Sequence, residues 1–276
     1  VTDKTIRWID VPHARLYAEE AGDGEAIVML HGFLVDSAQW DAEFAALAST
    51  HRVLRYDARG FGQSTIEPGA YTHHDDLAAV LDASGIRRTT LLACSGGAAT
   101  ALDFAMANPE RVDALILVGA GYWGRFAEST PAARAFLQAL HTFDASGLID
   151  SSLRAFTDGP RRSPTEVDPT VRKHIEAMTT RLFKRKTSYW TRASEDQRTP
   201  QPPALERLHD IRVPTLLIVG SEDQQEVLDL SRELARGIPH ARMVVIPDAG
   251  HHANMEWPSQ ALAAMRDTLA IAEALH

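Results

Sequence analysis

Six short runs constrain this chain more than any other feature. Residues 26–30 (AIVML), 52–56 (RVLRY), 89–93 (TTLLA), 113–118 (DALILV), 215–219 (TLLIV) and 241–246 (ARMVVI) are five or six residues long and largely apolar, without polar alternation. Such runs suit strands covered on both faces, not strands with one wet face. Helical patterns separate them. Residues 37–49 place Trp40, Phe44, Leu47 and Ala48 on one face, and residues 75–84 carry Leu77, Ala78, Val80 and Leu81 before Gly85. Residues 97–108, 226–236 and 259–275 read as further helices, and 15–19 as an extended segment before the turn at 21–24. Strands alternating with helices predict an α/β fold with a mostly parallel, doubly wound sheet.

The alternation is interrupted. Residues 123–205 contain no clear strand, only helical stretches at 131–140 and 169–183 broken by prolines. The expected organisation is a core of residues 1–122 and 206–276 with a helical insertion at 123–205. The insertion holds 13 Lys and Arg against 9 Asp and Glu, while the whole chain has a net charge of −9. Its run Lys184-Arg185-Lys186 is either a solvated face or an attractor for a carboxylate-bearing substrate. The acidic balance argues against nucleic-acid and acidic-membrane partners, so a small-molecule substrate is expected. A single cysteine, Cys94, excludes an intramolecular disulfide and a multi-cysteine metal site, and fits a reducing, cytoplasmic location. No signal-peptide core or spanning segment is visible. Oligomeric state is not legible.

In a parallel sheet, ligands gather where strands end at their carboxyl edge. Three of those ends supply Ser95, Asp223 and His251, in that chain order. A serine hydroxyl becomes a nucleophile when a histidine takes its proton, and a carboxylate fixes that histidine. Glu222 and Asp248 compete for the acid role, and His252 competes with His251. Asp223 is preferred as the third residue after Gly220, and His251 as the residue directly after Gly250. Ser95 sits among Ala93, Cys94, Gly96 and Gly97. Either two backbones approach closely there, or the serine occupies a strained strand-to-helix turn. The N–H groups of Gly96 and Phe33 are candidates to hold an oxyanion. His31 reads as a structural histidine lining the pocket region. Trp123, Phe126, Phe183, Trp190 and His252 are candidate pocket walls, and Trp40 is expected near the 31–33 loop. His73-His74-Asp75-Asp76 looks like a metal run but reads better as the acidic first turn of a helix. No metal or organic cofactor is expected.

Together these pieces resemble the α/β-hydrolase superfamily over nearly the whole chain. The resemblance rests on His31-Gly32-Phe33, the turn from Asp57 to Ser64 (DARGFGQS), the elbow 93–97 (ACSGG), Gly220 to Asp223, and Gly250-His251. Alanine stands where the elbow pattern G-x-S-x-G has its first glycine. The resemblance implies that residues 123–205 form the variable helical cap. Serine at position 95 counts against dehalogenase and epoxide-hydrolase relatives, which use aspartate there. It also counts against dienelactone hydrolases, which use cysteine there. Cys94 and Gly96 beside it count against the cofactor-free dioxygenases of this fold. Residues 250–256 (GHHANME) look like the matching segment of 3-oxoadipate enol-lactonases more than the GHW segment of carbon–carbon bond hydrolases. The expected activity is hydrolysis of a carboxylic ester or lactone. The alternatives are carbon–carbon bond hydrolysis of a meta-cleavage type diketone, perhydrolysis, and a ligand receptor that retains the triad.

Overall fold

The computed structural model describes residues 4–125, 127–142, 144–184 and 196–274. Eight strands form one sheet: β1 (Thr5–Val11), β2 (Ala14–Ala21), β3 (Ala26–Leu30), β4 (Arg52–Tyr56), β5 (Thr89–Cys94), β6 (Val112–Val118), β7 (Thr215–Gly220) and β8 (Arg242–Ile246). The order across the sheet is β1-β2-β4-β3-β5-β6-β7-β8. Pairing from β4 to β8 is parallel, and β1–β2 and β2–β4 are antiparallel. The fold is therefore α/β with a mostly parallel sheet, as the apolar runs predict.

Alternation along each strand feeds two cores. Val28 and Leu30 point to one face with Leu54, Leu91 and Leu117, under α2 (His73–Ala83), α3 (Gly96–Ala107) and α7 (Gln225–Gly237). Ile27 and Met29 point to the other with Val53, Leu92 and Ile116, under α1 (Asp41–Leu47) and α9 (Pro258–Glu273). Both sets are buried, which is why the strands show no polar face. Trp40 is buried in this second core, beside the start of α1.

The hairpin β1–β2 departs from the sequence reading, which has only a short extended segment at 15–19. Its strands carry charge, and the charges are satisfied across strands. Glu20 accepts from Arg7 and Arg52, and Glu19 from Lys4, Tyr17 and Arg55. The lysine and arginine partners lie 13 to 36 residues away and leave no local trace.

Residues 123–205 contribute α4 (Pro131–Thr142), α5 (Ala145–Ser152), a turn of π-helix (Leu153–Asp158) and α6 (Pro169–Lys184), with no strand among the described residues. Phe136, Ala139, Leu148 and Leu182 pack on Leu34 and Phe61, while Leu153, Ile175 and Met178 pack on Val35. The segment thus sits on the loop that follows β3. Among the described residues, no helix is long and apolar enough to cross a membrane.

Candidate active site

Strand β5 ends at Cys94 and α3 begins at Gly96. Between them Ser95 adopts φ 49°, ψ −116°, a conformation that costs a non-glycine residue energy. The neighbours hold it there. Ser95 N donates to Val118 O at 3.1 Å, and Gly121 N donates to Ser95 O at 3.1 Å. A Cβ on Gly97 would stand 2.6 Å from Leu30 O and 2.7 Å from His31 O. One on Gly121 would stand 3.1 Å from the Ser95 carbonyl carbon. Both explanations for the small residues therefore hold at once: the backbones approach closely, and the serine is strained. Cys94 is buried, and burial pushes its thiol up to about 12, so it remains protonated and unreactive at neutral pH.

A Cβ on Gly96 would lie 3.8 Å from Phe33 N, so the two candidate oxyanion donors belong to adjacent backbone. His31 takes another role. Its Nδ1 donates to Gly32 O at 2.7 Å and its Nε2 accepts from Ala58 N at 2.9 Å, which ties the 31–33 loop to the turn after β4. It lines a small side cavity with Phe61, His73 and Trp123, not the cavity beside Ser95.

The acid and base meet across 28 residues. Asp223 is fully buried; its Oδ1 accepts from Gln224 N at 2.7 Å, and its Oδ2 lies 2.8 Å from His251 Nδ1. Glu222 pairs instead with Arg161 at 2.8 Å. Asp248 is exposed and engages Ser221 Oγ through its N–H. The chain can pack this tightly because Gly220 has no side chain: a Cβ there would overlap the carbonyl oxygens of Ala249 and Gly250. His251 N donates to Phe156 O at 3.0 Å, and the two rings sit 5.2 Å apart. Among the described residues His252 has no such carboxylate, and its Nδ1 is buried without a partner. Burial pushes it down to about 3, so it stays neutral.

Ser95, Gly96, His251 and His252 line one cavity of about 170 Å³. Of the expected walls, Trp123 lines it as well as His252, and so does Phe33 of the expected oxyanion pair. Phe183 does not; it packs against the Leu34 and Phe61 cluster, farther along α6. Phe126 and Trp190 lie outside the described residues, as do Arg185 and Lys186. Lys184 faces a surface hollow with Asp36 and Arg181, away from Ser95. The sequence reading missed Phe136, Phe156, Thr157, Ile175 and Thr179, which come from the helical segment. Nothing in their local pattern distinguishes a cavity wall from a packed helix face. Trp123 is held by Asp103, which accepts from Trp123 Nε1 at 2.9 Å and from Tyr122 Oη at 2.8 Å, and its ring stacks on His73.

The suspected metal run is a helix start. Thr72 Oγ1 caps Asp75 N at 3.1 Å, and Asp76 forms a two-pronged pair with buried Arg59. Among the described residues no cluster of His, Cys, Asp and Glu could hold a metal ion.

Residues 25–258 match the family profile described as alpha/beta hydrolase fold. The chain belongs to the α/β-hydrolase family. It is 26% identical to a 2-hydroxy-6-oxo-6-phenylhexa-2,4-dienoate hydrolase of Comamonas testosteroni, covering 90% of this chain and 88% of that protein. A thermophilic esterase from Thermogutta terrifontis superposes with a TM-score of 0.80 at 26% identity, over 98% of this chain and 99% of that one. The enol-lactonase from Burkholderia xenovorans shares the fold with a TM-score of 0.79 at 24% identity, over 96% and 100%. This α/β hydrolase therefore has relatives that differ in the bond they break.

Proposed function

We propose that this hydrolase cleaves small carboxylic esters or lactones through an acyl-enzyme on Ser95. The observation that carries the reading is the Asp223–His251 contact of 2.8 Å, with His251 and the strained Ser95 lining the same apolar cavity. Ser95 Oγ attacks the acyl carbonyl and passes its proton to His251 Nε2. Asp223 holds the imidazole by Nδ1 and stabilises its charged form. The Phe33 and Gly96 N–H groups receive the oxyanion. His251 then protonates the departing alcohol, and activates the water that releases the acid. Residues 123–205 act as a lid, contributing Trp123, Phe156, Thr157, Ile175 and Thr179 to the wall. A cavity of about 170 Å³ suits a short acyl group.

Carbon–carbon bond hydrolysis is the second reading, favoured by the Comamonas relative. A dienoate of that kind carries a carboxylate that needs a cation. Among the described lining residues Arg125 carries the only fixed positive charge, and it already pairs with Glu233 at 3.0 Å. That favours the neutral ester or lactone.

The test is hydrolysis of p-nitrophenyl acetate and butyrate by the wild type and Ser95→Ala, with mass spectrometry after fluorophosphonate treatment. Turnover by the wild type, none by the variant, and an adduct on Ser95 are expected. A folded wild type that neither turns over nor labels overturns the reading. Parallel assay of a 2-hydroxy-6-oxo-dienoate, with faster turnover than any ester or lactone, replaces it with the second.

A further inference from the structure

Beneath the nucleophile lies a buried polar cluster that the reaction does not use. Gly32 leaves β3, and its N–H donates to Gln39 Oε1 at 2.8 Å. A Cβ on Gly32 would stand 3.3 Å from Ser95 Cβ and 3.6 Å from both Cys94 Sγ and Gln39 Oε1, so this amide sits directly against the elbow. Gln39 also reaches the opposite side. Its Nε2 donates to Asn254 Oδ1 at 3.5 Å, and Asn254 Nδ2 donates to Gln39 O at 3.3 Å and to Glu43 Oε2 at 3.5 Å. Asn254 is the third residue after His251, in the short helix α8 (Ala253–Glu256). Gln39, Glu43 and Asn254 are all buried. Burial pushes the Glu43 carboxyl up to about 7, so the cluster is largely uncharged below neutral pH.

Three buried polar side chains are a costly way to fill a core. Here they join two loops that are otherwise 215 residues apart. We propose that Gln39 is a positioning residue: by accepting the Gly32 N–H and gripping Asn254, it fixes the Phe33 oxyanion donor relative to His251. The inference rests on the acyl-enzyme reading above. Its physical basis is the freedom of Gly32. The peptide plane that carries the Phe33 N–H is held at its carbonyl by His31 Nδ1, and the glycine joint behind that plane keeps its freedom unless the Gly32 N–H is anchored as well. An oxyanion donor that wanders loses its advantage in the transition state while leaving substrate binding intact.

Gln39→Met removes the acceptor while keeping the length of the side chain. Its kcat on p-nitrophenyl butyrate is expected to fall about 10- to 100-fold with KM nearly unchanged. Affinity for a butylboronic acid, which forms a tetrahedral adduct on the serine, should fall by a similar factor. Rates are referred to the sites labelled by fluorophosphonate, so loss of folded protein is divided out. Asn254→Ala cuts the other end and should show a smaller loss of the same kind, which keeps the proposal testable if Gln39→Met does not fold. Glu43→Gln retains a neutral acceptor for Asn254 and should retain activity. Unchanged kcat and boronate affinity in the folded variants, or a loss that appears only in KM, overturns the positioning role alone. A folded wild type without labelling or turnover overturns it together with the acyl-enzyme reading.

Discussion

At the strand ends on the core side of the cavity, a single methyl group at Gly97, Gly121 or Gly220 would press on neighbouring backbone. Across the cavity, the helical segment is fastened by side chains. Arg162 pairs with Glu256 at 2.6 Å, Arg161 with Glu222 at 2.8 Å, Arg181 with Asp36 at 2.7 Å and Arg125 with Glu233 at 3.0 Å. Glu226 on α7 accepts the N–H groups of Glu128 and Ser129. Arg125, Arg161, Arg162 and Arg181 are thereby engaged with carboxylates of the core. One wall is built by steric interlock, which salt does not screen and side-chain substitution does not tolerate. The other is built by ion pairs and apolar contact, which can vary in sequence as long as partners are kept.

The largest expected effect falls on the interlocked wall. Asp223→Asn keeps the packing but leaves His251 with the wrong tautomer, and kcat should fall by about 10⁴-fold with the fold intact. Esterase kinetics and a thermal melt check this. A drop of less than tenfold would mean that another group orients His251. Gly220→Ala adds a methyl where two carbonyl oxygens already stand, and should cost roughly 3 kcal/mol or more in urea unfolding. Neutrality there would break the steric half of the comparison.

Arg162→Met tests the other half. The pair is nearly buried, at 9% and 4% side-chain exposure, so removing the guanidinium strands Glu256. A loss of about 3 kcal/mol is expected, since breaking a buried pair leaves its partner uncompensated. Arg125→Gln, at an exposed pair, should cost less than about 1 kcal/mol. Equal effects from the two variants would show that burial does not grade these fastenings.

The effect of pH is graded, spread over several units. His73 and His252 are both pushed down to about 3 by burial, against 6.5 in the unfolded chain. The unfolded state therefore binds protons that the folded state refuses. Each histidine's contribution is complete above pH 6.5 and is lost by about 1.4 kcal/mol per unit as pH falls towards 3. Glu43 acts in the opposite sense. Its folded value of about 7 lies above 4.5, so its contribution is complete below pH 4.5 and is lost as pH rises towards 7. From these three groups, acid destabilisation should steepen below pH 4.5, where Glu43 no longer offsets the histidines. Urea midpoints between pH 7 and 3.5, repeated with His252→Gln, would show a shallower slope in the variant. An identical slope would remove His252 from the account.

The sheet was legible wherever apolar side chains face both layers. All six apolar runs are strands, and α2, α3, α7 and α9 start within two residues of their periodic faces, while α1 starts only after a short 3-10 helix at Ser37–Trp40. Strand β1 was not legible, because Arg7 is charged and its partner Glu20 lies in β2. Helix α5 was missed because Ala145-Ser146-Gly147 gives no apolar spacing, while Asp144 caps it by accepting from Gly147 N. Phe183 was misplaced because helical phase says which face is buried, not which neighbour buries it.

The sequence alone determined the order of strands along the chain, the small residues around Ser95, and the acids and histidines available at the strand ends. Those are local facts, set by burial on two faces and by the space a backbone needs. Only the tertiary structure decided that Asp223 and not Glu222 meets His251, that His31 braces a loop, and that Phe156 and Thr157 face the cavity. Each of these depends on segments brought together from distant positions, and a difference of one residue turns a side chain to the other face of its strand or loop.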